Sequence, residues 1–184
     1  MAQKKFLIIG RTATGKSTIA KGVCEKLGLQ LVKSYTTRPC RGVDDIDHIF
    51  ISPEDVFQYK DDMIAYTKIG DYEYFVTKDI LDSCDVYVID PKGVEFLKQQ
   101  RVNKYEFVEI YIRTTGEVSI NRALGRGDSA DVLHSRKQAE DEQFTAYEAA
   151  HSFHYHLLNN VDTTIDEAVK KVCGWVLKEL EEEE

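Results

Sequence analysis

No stretch of this 184-residue chain approaches the roughly 18–20 consecutive apolar residues of a membrane span, so no transmembrane helix is expected. Cysteine pairing is missing as well. Cys24, Cys40, Cys84 and Cys173 are scattered and form no CxxC pair, which points to reduced thiols and a cytoplasmic setting. There is no excess of positive charge: 24 Lys+Arg stand against 32 Asp+Glu, giving a formal net charge of −8. Such a field disfavours nonspecific nucleic-acid binding. The acidic run at residues 181–184 reads as a solubilising helix end. Internal repeats and low-complexity linkers are also lacking. Met1-Ala2-Gln3-Lys4-Lys5 leads straight into a short strand, and a protein neither secreted nor membrane-embedded is expected. A chain of this length fits one domain with a single substantial core, which excludes a large multidomain machine.

What is present is concentrated near the start. Gly10-Arg11-Thr12-Ala13-Thr14-Gly15-Lys16-Ser17 completes the pattern GxxxxGK[ST], placed between an apolar strand at residues 6–9 and an amphipathic helix. Glycines let backbone amides close around phosphates, Lys16 places a cation beside the β/γ-phosphates, and the Ser17 hydroxyl can ligate Mg²⁺. Thr18 continues the same helix N-terminus. Ile19, Ala20, Val23, Cys24 and Leu27 then share one helical face, and Gly28 ends the helix. This segment predicts binding of ATP or GTP.

Short apolar strands at residues 5–9, 31–35, 85–89, 107–112 and 155–158 alternate with helical segments. That alternation predicts a parallel α/β sheet. The clearest helix is the last, with Ile165, Ala168, Val169, Val172, Cys173, Val176, Leu177 and Leu180 at helical spacing after Asp162-Thr163-Thr164. Between residues 36 and 84 the pattern changes to short strands around Ile49, Ile64 and Tyr74, with a helix begun by a Ser52 cap and Pro53. These mark an inserted α+β subdomain. An irregular stretch at residues 125–135, with Arg126, Gly127, Asp128 and Asp131, interrupts two helices and suits a mobile lid.

Ser34-Tyr35-Thr36-Thr37-Arg38-Pro39-Cys40-Arg41 resembles the S-x-T-T-R-x-x-R segment of guanylate kinases. Ile89-Asp90-Pro91-Lys92-Gly93-Val94 is similar to that family's I-D-x-x-G-V segment, and the Arg122/Arg126/Arg136 series is similar to its lid arginines. Together with the P-loop, these carry the resemblance over almost the whole chain. It implies an α/β, three-layer P-loop kinase fold with a parallel central sheet, an inserted acceptor-binding α+β subdomain and a short lid. The single domain would span residues 1–184, with its core at 1–35, 85–125 and 136–184, the insert at 36–84 and the lid at 126–135. The implied chemistry is transfer of the γ-phosphoryl group of ATP, with Mg²⁺, to a phosphate-bearing small molecule, foremost a nucleoside monophosphate. Nucleic acid and membrane are not expected partners.

Residue by residue, the resemblance makes Ser34, Arg38 and Arg41 the clamp for the acceptor's phosphate. Guanidinium forks pair bidentately with phosphate oxygens, and a hydroxyl adds a donor. Arg126 and Arg136 become the lid cations that, with Lys16, would neutralise charge developing on the transferred group. Arg122 falls nearer the donor nucleotide, or forms a surface ion pair with an acidic neighbour. Asp90, at the end of an apolar strand, can contact the acceptor or the hydrated Mg²⁺, or cap the helix that starts at Pro91. Tyr74 matches a family tyrosine that helps hold the acceptor phosphate, and His48 stands where another phosphate-contacting tyrosine is usual.

The chain departs from the family where the base is read. Ala65 occupies the place of a glutamate that accepts hydrogen bonds from the guanine edge, Val76 replaces a serine, and Val88 stands two residues before Asp90 where an aspartate is common. A methyl group accepts nothing, so guanine specificity is in question. Either Lys68, Asp71 or Glu73 compensates, or the acceptor is not GMP; another nucleotide and ribose 1,5-bisphosphate are both open. A noncatalytic phosphopeptide-binding module and a nucleotide-gated switch are further alternatives. The intact Lys16, Ser17 and lid arginines favour the enzyme. His151, His154 and His156 read as packing or surface histidines rather than a zinc site. Asn159-Asn160 could approach the donor base or form an Asx turn.

Overall fold

The computed structural model describes residues 2–40, 42, 45–100, 103–125, 127 and 129–182, without the side chains of Ala130, Val132, Ser135, Arg136 and Ala139. Four parallel strands form the central sheet: β1 (Gln3–Ile9), β6 (Val86–Val88), β7 (Tyr105–Arg113) and β8 (Tyr155–Leu158), in the order β6-β1-β7-β8. β1 is buried from Lys4 to Ile9 because both faces of a parallel sheet are covered. On one face, α1 (Lys16–Leu27) and α6 (Ile165–Glu181) pack Ile19, Ala20, Val23, Ala168, Val169, Val172 and Val176 against Phe6, Ile8, Ile110 and Leu157. On the other, α3 (Pro91–Gln99) and α5 (Ala130–Ala150) cover Leu7, Ile9 and Tyr111 with Val94, Leu97, Phe144 and Tyr147. The expected three layers are present.

Helix boundaries follow local chemistry. Thr164 and Glu167 form a reciprocal capping box at the start of α6, with Thr164 Oγ1 accepting from Glu167 N at 3.2 Å and Glu167 Oε2 accepting from Thr164 N at 2.9 Å. Asp90 is the N-cap of α3, its Oδ1 accepting from Gly93 N at 2.8 Å. Gly28 closes α1 by donating to the Cys24 carbonyl. The four cysteines are free thiols, and Cys24, Cys84 and Cys173 are buried.

The insert has its own mixed sheet, ordered β3-β2-β5-β4 and built from β2 (Ser34–Thr36), β3 (His48–Phe50), β4 (Met63–Ile69) and β5 (Tyr72–Thr77). Short α2 (Lys78–Asp82) returns the chain to the core. Three expectations change. The strand expected at residues 31–35 gives the central sheet only one bridge, Leu31 to Val86; its continuation Ser34–Thr36 pairs with Tyr74 and Phe75 instead. The helix after Ser52 is a 3₁₀-helix (Pro53–Tyr59), and Ser52 Oγ donates to the Asp55 carboxylate at 2.9 Å rather than accepting a backbone amide. The irregular stretch is shorter than residues 125–135, because α4 (Gly116–Gly125) runs to Gly125 and α5 starts at Ala130. Gly127, at φ +88° in the left-handed region, falls between the two helices.

Candidate active site

β1 delivers the chain into the P-loop with little steric choice. A Cβ on Gly10 would lie 2.1 Å from the Ile112 carbonyl oxygen of β7, so the close approach of two backbones requires glycine. Ala13 adopts φ +61° and Gly15 φ +93°, the curled conformation that turns successive amides inward. Inside the loop, Thr14 Oγ1 and Lys16 Nζ donate to the Arg11 carbonyl at 2.9 and 2.6 Å. Asn159, buried at the end of β8, donates from Nδ2 to the Thr14 carbonyl at 2.8 Å. Arg122 from α4 donates to the Asn159 carbonyl at 3.1 Å. Arg122 thus supports the loop through Asn159. Asn160 Oδ1 accepts from Thr114 Oγ1 and Thr115 N, each at 2.9 Å, which fixes the turn after β8.

A second set of polar side chains assembles on β2 and the segment after it. Arg38 is buried; its guanidinium donates to Asp45 at 2.7 and 3.1 Å and to the Pro39 carbonyl at 2.8 Å, and lies over the Phe50 ring. The Asp45 hydrogen bonds, which outweigh burial, raise the pKa of Arg38, so it is a fixed cation. Ser34 Oγ and His48 Nδ1 share a hydrogen bond of 2.9 Å, and the His48 ring meets Tyr74 edge-on at 5.7 Å. Burial, reinforced by the Arg38 charge, pushes the His48 pKa down and keeps the imidazole neutral.

The two sides face one another. A cavity of about 690 Å³ is lined by Ser17 and Thr18 from the start of α1 and by Arg38, Asp45 and His48 from the insert. Lys21 and Asp47 form an ion pair of 2.7 Å from one wall to the other. A second cavity, about 470 Å³, lies between the P-loop, the end of β7 and α5. Among its lining residues are Arg11, Thr12, Arg113, Lys137 and Glu140.

Other expected residues have different surroundings. Asp90 Oδ2 accepts from Thr67 Oγ1 of β4 at 2.7 Å and from Gln143 Nε2 of α5 at 2.9 Å, in addition to the cap bond on Oδ1. Its carboxylate ties the core, the insert and α5 together. Arg41 and Arg126 lie outside the described residues, as does the side chain of Arg136, whose backbone belongs to α5. Ala65 and Val76 are paired across β4 and β5, both fully buried in the apolar cluster with Val94 and Leu97. His151 stacks on Tyr147, His154 Nδ1 accepts from Glu109 N at 3.1 Å, and His156 packs against Tyr111 and Phe153. Among the described residues, no group of His, Cys, Asp or Glu could hold a metal ion.

Several contributors escaped sequence reasoning. Glu140 accepts from both the amide and the hydroxyl of Thr12, the amide contact being 2.7 Å. Arg11 is held by Glu148, at 3.1 and 3.3 Å, and by Asp141; Tyr111 also donates to Glu148. Burial pushes the Glu148 carboxyl up, but the hydrogen bonds from Arg11 and Tyr111 outweigh it and hold the pKa below its usual range. The signal was there in polar form: Glu140, Gln143 and Tyr147 recur at i, i+3 and i+7 along α5.

No model of a known protein family matches the chain. The guanylate kinase of Fusobacterium nucleatum subsp. nucleatum is 29% identical over 145 residues, which is 71% of this chain and 76% of that protein. The crystal structure of guanylate kinase from Anaplasma phagocytophilum superposes with a TM-score of 0.66 at 18% identity, over 97% of this chain and 86% of that one. The chain is guanylate kinase-like. An unliganded sugar kinase from Janibacter sp. HTCC2649 shares the fold more loosely, with a TM-score of 0.51 and 13% identity over 96% of this chain and 95% of that one. In this guanylate kinase-like chain, the parallel central sheet is consistent with the guanylate kinase P-loop fold.

Proposed function

We propose that the chain transfers the γ-phosphoryl group of ATP, with Mg²⁺, to a nucleoside monophosphate. The observation that carries this reading is the 690 Å³ cavity in which the P-loop serine and the Arg38/His48 wall face each other. A donor phosphate chain at the loop and an acceptor phosphate at Arg38 would meet there for in-line attack. The likeness to a guanylate kinase along 71% of the chain supports the same assignment.

Lys16 and the amides at the start of α1 would hold the donor's phosphates. Ser17 Oγ would reach a hydrated Mg²⁺, whose charge would be shared by the donor phosphates when bound. Arg38, with Ser34, His48, Tyr74 and Arg41, would orient the acceptor phosphate. Arg126 and Arg136 would close over the transferred group. Asp90 would reach acceptor or metal by exchanging its bonds to Thr67 or Gln143. Arg122 would hold the loop that carries the donor through Asn159.

The apolar, fully buried Ala65 and Val76 offer no acceptor to a guanine edge. This favours nucleotides with another base, and it keeps ribose 1,5-bisphosphate as the second reading. ADP production from ATP and Mg²⁺ is measured against ribo- and deoxynucleoside monophosphates and ribose 1,5-bisphosphate. Turnover on one nucleotide, cut by about 10²- to 10³-fold in Lys16→Ala, is expected. Silence across the panel with folded protein would end this reading; response to the bisphosphate alone would replace it with the second.

A further inference from the structure

Helix α5 lays three carboxylates against the phosphate loop. Glu140 takes the Thr12 amide and hydroxyl, while Asp141 and Glu148 take Arg11. The cations lining the adjoining 470 Å³ cavity are Arg11, Arg113 and Lys137, and the carboxylates lining it are Glu140, Asp141 and Glu148. The histidines aside, charge is balanced there before any ligand arrives. An anion therefore already rests on an amide of the loop that, in the function proposed above, cradles the donor's phosphates.

We propose that Glu140 is an internal competitor for the donor's polyphosphate, so that binding of ATP breaks the Glu140–Thr12 contact and loosens α5 from the P-loop. The proposal rests on the reading of the loop as a donor site. One N–H cannot serve a carboxylate and a phosphate at full strength, and two anions on the same rim repel. Removing Glu140 from the rim also leaves the cavity one positive charge in excess, which favours a phosphate chain. Arrival of the donor would thus free α5 at its Thr12 contact, while an empty loop keeps that helix docked. Gln143 on Asp90 and Tyr147 on Glu109 hold its later turns and give the motion a pivot.

Calorimetric titration of the full chain with MgATP and with tripolyphosphate tests this in the wild type, Glu140→Gln and Glu140→Ala. Glutamine keeps an oxygen for the Thr12 amide and removes the charge; alanine removes both. Binding of both ligands is expected to tighten by about 3- to 10-fold in both variants. Thermal melting of the ligand-free alanine variant is expected to drop, because the docking contact is gone. Tighter binding with lower stability is a combination that a purely structural carboxylate does not produce. If the wild type binds MgATP and both variants bind it equally or more weakly, the competitor role is overturned while the donor site stands. A folded wild type that binds neither ligand removes the donor-site reading and this one with it.

Discussion

On one side of the central sheet, α6 buries Ala168, Val169, Val172, Cys173 and Val176 against α1 and the strands, with an apolar stripe running its length. On the other side, α5 buries Phe144 and Tyr147 but reaches the site through Glu140, Asp141, Gln143 and Glu148. Apolar interdigitation is nondirectional and has no competitor in solution. Hydrogen bonds and ion pairs to an amide, an arginine and an aspartate can be exchanged for bonds to a ligand's phosphates. The α1/α6 layer is therefore built to stay, and the α5 layer to trade partners. The P-loop sits where the two meet, which gives it a rigid floor and a replaceable roof.

The sharpest way to break that contrast is to cut each layer and compare. Leu157→Ala, in the apolar layer, removes a side chain only 2% exposed and is expected to cost about 2–5 kcal/mol in denaturant unfolding. Donor affinity per folded molecule should hardly change. Tyr147→Phe, in the α5 layer, removes the hydroxyl that donates to the buried Glu109 at 2.9 Å, at a cost of about 1–3 kcal/mol. Native-state hydrogen exchange adds a second arm: α5 amides are expected to exchange by a lower-energy opening than α6 amides, and more so in Tyr147→Phe. Equal protection of the two helices would erase the distinction.

The same contrast explains what was legible in the sequence. The P-loop could be read because its steric and chemical demands fall within eight consecutive residues, Gly10 to Ser17. α1 and α6 could be read because burying one stripe imposes a 3.6-residue period. α5 could not be assigned a partner, since its docking face is polar and its partners Thr12, Arg11 and Asp90 are far away in sequence. The apolar run at residues 31–35 announced a strand but not its sheet, because pairing with Val86 or with Phe75 asks for the same residue types. Asp45 was passed over for a similar reason. A lone carboxylate in a polar loop gains meaning only when folding brings Arg38 to it.

Asn159 sits at the junction of the two layers and gives a smaller test. Its Nδ2 supports the Thr14 carbonyl, and its side chain fills the space beside Gly15. Asn159→Ala is expected to weaken MgATP binding about fivefold, near 1 kcal/mol, through a looser P-loop. Asn159→Asp separates position from chemistry: it keeps the shape but turns a donor into an acceptor facing a carbonyl, and should be no better than alanine. Wild-type affinity in either variant would show that the loop holds its curl without this support.

The smallest expected effect comes from acidity, and it should touch one layer only. Glu148 faces Arg11, Tyr111 and Arg113, and its folded pKa lies below the ordinary 4.5. A depressed carboxyl contributes stability that is present above its unfolded pKa and lost as pH falls through the folded one. The Arg11–Glu148 coupling, measured with Arg11→Gln and Glu148→Gln singly and together, should therefore hold steady at neutral pH and fade only as pH falls below the ordinary 4.5 and through the lowered folded pKa. Its size should stay under about 1 kcal/mol, because both side chains keep contact with water. Over the same range the cost of Leu157→Ala should not move, since no titrating group takes part in that packing. A coupling that survives once the carboxyl is protonated would mean that α5 is held at Arg11 by shape rather than by charge, and that a phosphate has nothing there to displace.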